Sequence, residues 1–291
     1  MLAEFLQFLF SGITVGATYA LAALGFTLIY NASHVINFAQ GEFIMLGGML
    51  AVSFSQQGWP LPVALVVATA LPALVGVAME KLVIEPVKGA ETVSLIIITI
   101  GASLVIRGLV QVWLGKATHS LPAFSGDTPL VVLGATLLPQ SLWVLGVTAL
   151  VVLGLWYFFT RTLSGKAMLA TSVNRTAAEL VGIHTNGVLL LSFALAAGLG
   201  ALGGILITPI TMTSYDVGIM LGLKGFVAVV VGGLGHGLGA VVGGLLVGVL
   251  EAMGAGYISS AYKDAIPFAL ILLVLFFMPR GLFGGASTDR V

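Results

Sequence analysis

The 291 residues are 59% hydrophobic and 8% charged, against about 25% charged in a typical soluble domain. Such a chain cannot cover a globular surface with polar side chains, which excludes a soluble enzyme, a nucleic-acid binder and a disordered segment. Eleven basic and eleven acidic residues cancel, leaving no pull toward a polyanionic partner such as nucleic acid, and the lack of cysteine excludes disulfides, iron–sulfur clusters and thiolate metal sites.

Taken in chain order, apolar stretches at about 6–30, 36–55, 61–79, 92–114, 141–159, 187–208, 217–234, 238–254 and 265–279 predict nine membrane segments. A crossing needs about 20 apolar residues. Several stretches are short or broken by glycine, so the fold class is all-α and polytopic, one transmembrane domain over 1–291 with about eight to ten crossings. The first stretch has no basic residue before it and is expected to be a retained helix, not a cleaved signal peptide. Continuous apolar runs such as Leu142–Phe159 fit helices and not the alternating strands of a β-barrel.

If all nine segments cross, Lys81, Lys88, Arg161, Lys166, Arg175, Arg280 and Arg290 share one side and only Lys116 and Lys263 lie on the other. The positive-inside rule makes the first side cytoplasmic, with the N-terminus outside and the C-terminus inside. The connection 115–140, with Pro122, Pro129, Pro139, Gly126 and Asp127, is expected to be an ordered outer loop. The connection 160–186 is expected to hold a short helix outside the membrane, spanning 165–183, with Gly182 as its stop.

Catalytic signatures are missing. Gly165-Lys166 and Gly115-Lys116 are followed by alanine, so neither completes a phosphate-binding loop with a hydroxyl for Mg²⁺. The four histidines fall in four different regions and favour single capping or interfacial roles over metal binding. Between the first two apolar segments, Asn31, Ser33, His34, Asn37, Gln40, Gly41 and Glu42 cluster within fourteen residues, with almost no room for a loop. Two readings stand. One is a broken helix lining a translocation path, because polar groups and irregular backbone at membrane depth must face protein or water. The other is an ordinary interfacial turn with Glu42 in the first turn of the next helix.

A second glycine-rich stretch, Gly225–Gly248, repeats that layout: Gly225-Phe226, an apolar run, a break at Gly232, Gly233, Gly235, Gly237 and Gly239, then a helix bearing Gly243, Gly244 and Gly248. Gly25-Phe26 and Gly41, Gly47 and Gly48 occupy the corresponding places in the first half. Paired broken segments point to an internal repeat around a transport site, and simple glycine-rich packing is the alternative. On this reading Asn37, Gln40, Glu42, Phe43, Gly233 and Gly235 line the path, with Met45 and Leu46 completing its wall. Arg107, Lys224, Asp216 and Glu251 are isolated charges near apolar runs. For Arg107 we favour snorkelling to an interface or pairing with a Glu over carboxylate binding in a pathway.

The runs Gly12–Tyr30, Asn37–Phe43, Met45–Gly48, Thr99–Gly108, 160–186 and Val230–Gly239 together resemble LivH-type permeases, membrane subunits of ABC importers for branched-chain amino acids. The resemblance spans nearly the whole chain. It implies a non-catalytic subunit of the bacterial inner membrane, set in lipid. Its partners would be a second LivM-like permease, two ABC ATPase subunits that carry the ATP and Mg²⁺, and a periplasmic substrate-binding protein. The resemblance also makes 160–186 the coupling segment that docks on an ATPase, through Lys166, Asn174, Arg175, Ala178, Gly182 and Ile183. Leu169 stands where the family often has Arg, so an ATPase contact by that Arg does not carry over. The outer loop 115–140 is expected to receive the binding protein. Related permeases also serve urea and amides. An autonomous channel or secondary transporter is the competing reading, but no candidate charge sits mid-run among other polar residues.

Overall fold

The computed structural model describes residues 2–87 and 89–284, so Lys88 and Arg290, counted above among the basic-side residues, lie outside the described residues. Each expected apolar segment is helical. In chain order the helices are α1 (Leu2–Ser33), α2 (Gln40–Gln56), α3 (Leu61–Met79), α4 (Thr92–Trp113), α5 (Pro139–Arg161), α6 (Leu163–Val173), α7 (Arg175–Leu180), α8 (Thr185–Thr211), α9 (Val217–Gly232), α10 (Gly237–Tyr257) and α11 (Ala265–Phe277). Six spans, at 2–33, 61–87, 92–113, 139–161, 185–211 and 237–257, are long and apolar enough to cross a membrane, and α9 and α11 are shorter apolar helices. α2 has only 17 residues and is buried for most of its length.

Proline and side-chain caps set several boundaries. α5 opens on Pro139, whose missing N–H costs nothing in a first turn. α3 passes through one turn of π-helix at Glu80–Ile84 before the chain reaches α4. Between α4 and α5 a small antiparallel hairpin, β1 (Leu130–Val132) and β2 (Ala135–Leu137), closes the long connection.

The centre of the bundle is α1, packed on α8, α9 and α10. Small residues let α1 and α10 touch through backbone: a methyl group on Gly16 would fall 2.9 Å from the Gly244 carbonyl oxygen, and one on Gly12 2.7 Å from the Val249 Cα. Close approach replaces the hydrophobic drive that lipid does not supply. α2 packs on α9 as α1 packs on α10, and Phe26 meets Phe226 with ring centroids 6.0 Å apart. This is the pairing that a two-fold exchange of α1–α2 with α9–α10 requires.

The connections sort onto two faces. At one, Gln7 Oε1 accepts from the Thr136 N–H and hydroxyl at 2.7 and 2.9 Å, Phe8 stacks edge-on to Tyr257, and His119 exchanges backbone hydrogen bonds with Thr213. At the other, Asn31 donates to the Gly235 carbonyl at 3.0 Å, and the Leu282 and Phe283 N–H groups donate to Val231 and Gly232. Lys81, Arg161, Lys166, Arg175 and Arg280 belong to the second face, called the basic face below. Lys116 and Lys263 belong to the far face, where Trp59, Trp113 and Trp143 are exposed at helix ends, the usual station of interfacial anchors.

Two segments leave their face and run back into the bundle. After α1 ends at the basic face, His34 takes a left-handed backbone (φ 56°) and residues 34–39 climb beside α4, where the Phe38 N–H donates to Thr99 Oγ1 at 3.2 Å. α2 starts at Gln40, whose side chain reaches the Ala196 carbonyl eleven residues into α8, about 16 Å from that helix's basic-face end. After α8 ends, Met212 is likewise left-handed (φ 63°), and 212–216 descend so that α9 begins with Gly218 against the Gly41 backbone. A non-glycine residue in this conformation costs about 1–3 kcal/mol, here spent on turning the chain inward. The expected partner of the 34–39 break was the Gly232–Gly239 stretch. It is a turn at the basic face instead, and 212–216 is the second break inside the bundle.

Candidate functional site

Asn37, Gln40, Glu42 and Phe43 converge where α2 begins, and all four are buried. Asn37 Oδ1 accepts from the Ala39 N–H at 3.0 Å and its carbonyl from the Gln40 N–H at 3.1 Å, closing the turn into α2. The Gln40 amide donates to the Ala196 carbonyl at 2.9 Å. Glu42 Oε1 accepts from Ser103 Oγ at 2.8 Å and from Arg107 Nη2 at 2.6 Å. Arg107 therefore pairs with a Glu, as expected from sequence. Thr99, Ser103 and Arg107 recur every four residues along α4, placing one polar stripe against α2 on an otherwise apolar helix.

Four buried polar atoms at this junction have no partner: Asn37 Nδ2, Gln40 Oε1, Glu42 Oε2 and Arg107 Nε. An unsatisfied buried group costs about 1–3 kcal/mol, so the cluster is unfavourable for folding alone. Glu42 Oε2 sits 3.1 Å from the point where a Gly218 side chain would begin, beside the uncapped first turn of α9. The positive end of that helix favours a carboxylate.

Gly233 and Gly235 are elsewhere. Gly233 (φ 109°) packs on the 280–284 backbone, and Gly235 receives Asn31, both at the basic face. The structure does not bring them to the Asn37–Phe43 junction. Reasoning from sequence also missed Thr99, Ser103 and the 212–216 break. The four-residue spacing on α4 and the polar run Thr211-Met-Thr-Ser-Tyr-Asp216 carry those signals.

Two of the other isolated charges, Lys224 and Glu251, form a second, fully partnered cluster, while Asp216 accepts from the Ser214 hydroxyl. Lys224 Nζ donates to Glu251 Oε1 at 2.8 Å and to Asp264 Oδ1 at 2.6 Å, and the Tyr19 hydroxyl donates to Glu251 Oε2 at 2.8 Å. With every charge met, this cluster reads as a clamp joining α1, α9, α10 and the start of α11. The Lys224 bond holds the Asp264 carboxyl below its ordinary value.

On the basic face, 160–186 folds as two helices and not the single one expected over 165–183. Thr162 Oγ1 caps α6 by accepting from the Gly165 N–H, and Asn174, extended at φ −156°, caps α7 by accepting from the Ala177 N–H at 2.9 Å. Asn174 thus breaks the helix by offering its side chain to the backbone. Gly182 (φ 88°) ends α7, its N–H donating to Glu179 and the Ile183 N–H to Ala178. Ala178 is buried against its own chain. Leu163, Leu169, Val173, Leu180 and Val181 are exposed apolar side chains on this segment, alongside exposed Lys166. Arg175 is tied to Glu179 and Asn186, and a hydrogen bond from Thr185, then one from Arg175, lowers the Glu179 carboxyl pKa.

Residues 8–275 match the family described as "Branched-chain amino acid transport system / permease component". The high-affinity branched-chain amino acid transport system permease protein LivH of Salmonella typhimurium is 33% identical, over 99% of this chain and 98% of that one. Its counterpart BraD of Pseudomonas aeruginosa is 32% identical over the same shares. The ribose import permease protein RbsC of Haemophilus influenzae is 27% identical over 88% of this chain and 79% of its own. Among solved structures, PsaBC from Streptococcus pneumoniae in complex with Fab superposes with a TM-score of 0.53 at 16% identity, covering 97% of this chain and 98% of that one, a likeness of fold. By the family match and the near full-length identity, this multi-pass membrane protein belongs to the branched-chain amino acid permease family.

Proposed function

We propose that the chain is the translocating subunit of an ABC importer that moves branched-chain amino acids across a bacterial inner membrane. In this reading it pairs with a second, LivM-like permease, takes its energy from two ATPase subunits and receives solute from a periplasmic binding protein. The observation that carries the reading is the start of α2. A helix begins inside the bundle at Asn37, Gln40 and Glu42, with hydrogen-bonding capacity to spare. Irregular backbone at that depth belongs to a buried site or a water-filled path. The basic face is cytoplasmic by the positive-inside rule, which puts α6 and α7 where ATPases dock and the hairpin β1–β2 where the binding protein arrives. Lys166, Asn174, Arg175, Ala178, Gly182 and Ile183 shape the coupling surface, while the exposed Val173, Leu180 and Val181 make the contact.

The test is co-expression with the partner subunits. The wild-type chain brings the ATPases through purification and supports ATP-dependent leucine uptake. Leu180→Asp with Val181→Asp loses both, while the thermal stability of the permease is unchanged because the two side chains touch little of their own chain. Uptake without ATPase subunits would instead identify an autonomous transporter.

A further inference from the structure

The four unpartnered atoms at the α2 start flank a single ion pair. Glu42 uses Oε1 for Arg107 and Ser103 and keeps Oε2 free beside α9. Arg107 uses Nη2 and keeps Nε free, and Asn37, five residues before Glu42, keeps an amide donor free. Each half of the pair therefore retains capacity for another group of the opposite charge. The Arg107 side chain is 20% exposed, and Asp216, two residues before Gly218, is exposed as well. Ionised side chains at this depth do not face hydrocarbon, so this side of the chain faces water or protein.

Resting on the function proposed above, we infer that the Glu42–Arg107 pair recognises the head group of an α-amino acid. The solute's ammonium is taken by Glu42 Oε2 and its carboxylate by Arg107, as the two side chains part to admit it. A zwitterion replaces each charge's partner with an equivalent one, so no uncompensated charge is buried before, during or after passage. Recognition confined to the head leaves the aliphatic side chain to apolar walls, among them Phe43. In this conformation the Gly41 backbone lies against Gly218 and Gly222 and closes the junction. Opening requires α4 or α9 to draw away from α2. α4 is suited to this, because its buried residues are only Thr99, Ser103 and Val110.

The pair is tested in the complete importer, reconstituted in vesicles with its binding protein and supplied with leucine. Glu42→Gln combined with Arg107→Gln removes both charges at once and leaves neither stranded. The double variant still assembles with its ATPase subunits, but leucine uptake falls about tenfold or more, the effect of losing charge-assisted hydrogen bonds. A merely structural pair predicts uptake restored to wild type in the double variant, and that result overturns the assignment. A second readout uses the absence of cysteine from this chain. In Ser103→Cys with cysteine-free partners, leucine slows maleimide modification, whereas 4-methylpentanoate, without the ammonium, and 3-methylbutylamine, without the carboxylate, do not. Equal effects of all three compounds, or no effect of leucine, also overturn it. If the wild-type importer takes up no leucine, the proposed function fails; if wild type and double variant take it up equally, only the head-group site fails.

Discussion

Arg107 is held by one short bond to a carboxylate that has no other cation among the described residues. Arg107→Ala leaves Glu42 charged, buried and unmatched, a change that costs about 3–5 kcal/mol. We expect a large fall in the thermal midpoint of the purified permease, and recovery in Arg107→Ala combined with Glu42→Gln. A midpoint equal to wild type in the single variant would mean that water reaches the carboxylate. That Asn37, Gln40 and Glu42 gather at one buried junction was legible from their crowding between two apolar segments. That Glu42 meets Arg107 was only partly legible, because 65 residues separate them and the pairing is fixed by how α4 lies on α2. Lys224 with Glu251 and Asp264 was not legible at all, because three elements must pack before those charges meet.

At the scale of elements, apolar length located every membrane helix, while short polar devices set the breaks. Asn174 reads as one more helix residue between Val173 and Arg175, yet its side chain captures the Ala177 N–H and divides the 160–186 segment. The stop at Gly182 was legible because its positive φ favours glycine. Glu179 locks this end by accepting from Thr185 at 2.6 Å. Its pKa is lowered from 4.5 in the folded chain, so the lock is fully present above that ordinary value and is lost as pH falls through the lowered one. Amide exchange at 182–186 should accelerate across that acidic window relative to the rest of α8, and Glu179→Gln should abolish the dependence. An unchanged pH profile in the variant would rule out the carboxylate as its source.

Across the whole molecule, charge asymmetry assigns the faces and the structure assigns the connections to them. Single-cysteine variants check the two together. Lys116→Cys should react with an impermeant maleimide added outside intact cells, and Lys166→Cys only after the membrane is opened. The reverse pattern would invert the topology and remove α6 and α7 from the ATPase side. Glycine layout foretold how α1–α2 relate to α9–α10 but misplaced the second inward break. Layout repeats along the chain, whereas depth depends on where α8 stops, and Met212 rather than a glycine makes that turn.

α1 is one unbroken helix of 32 residues, about 48 Å long at 1.5 Å per residue. Gln7 near its start holds the β1–β2 hairpin, and Asn31 near its finish holds the turn before α10. Its close backbone seat on α10 is centred on Gly16, against Gly244 and Gly248, about 21 Å from the first end and 26 Å from the other. A stiff rod seated near its midpoint is a see-saw. Any rocking imposed where Asn31 is gripped swings the Gln7 end the opposite way through a comparable arc, so the hairpin on one side of the bilayer and the glycine turn on the other share a single mechanical degree of freedom.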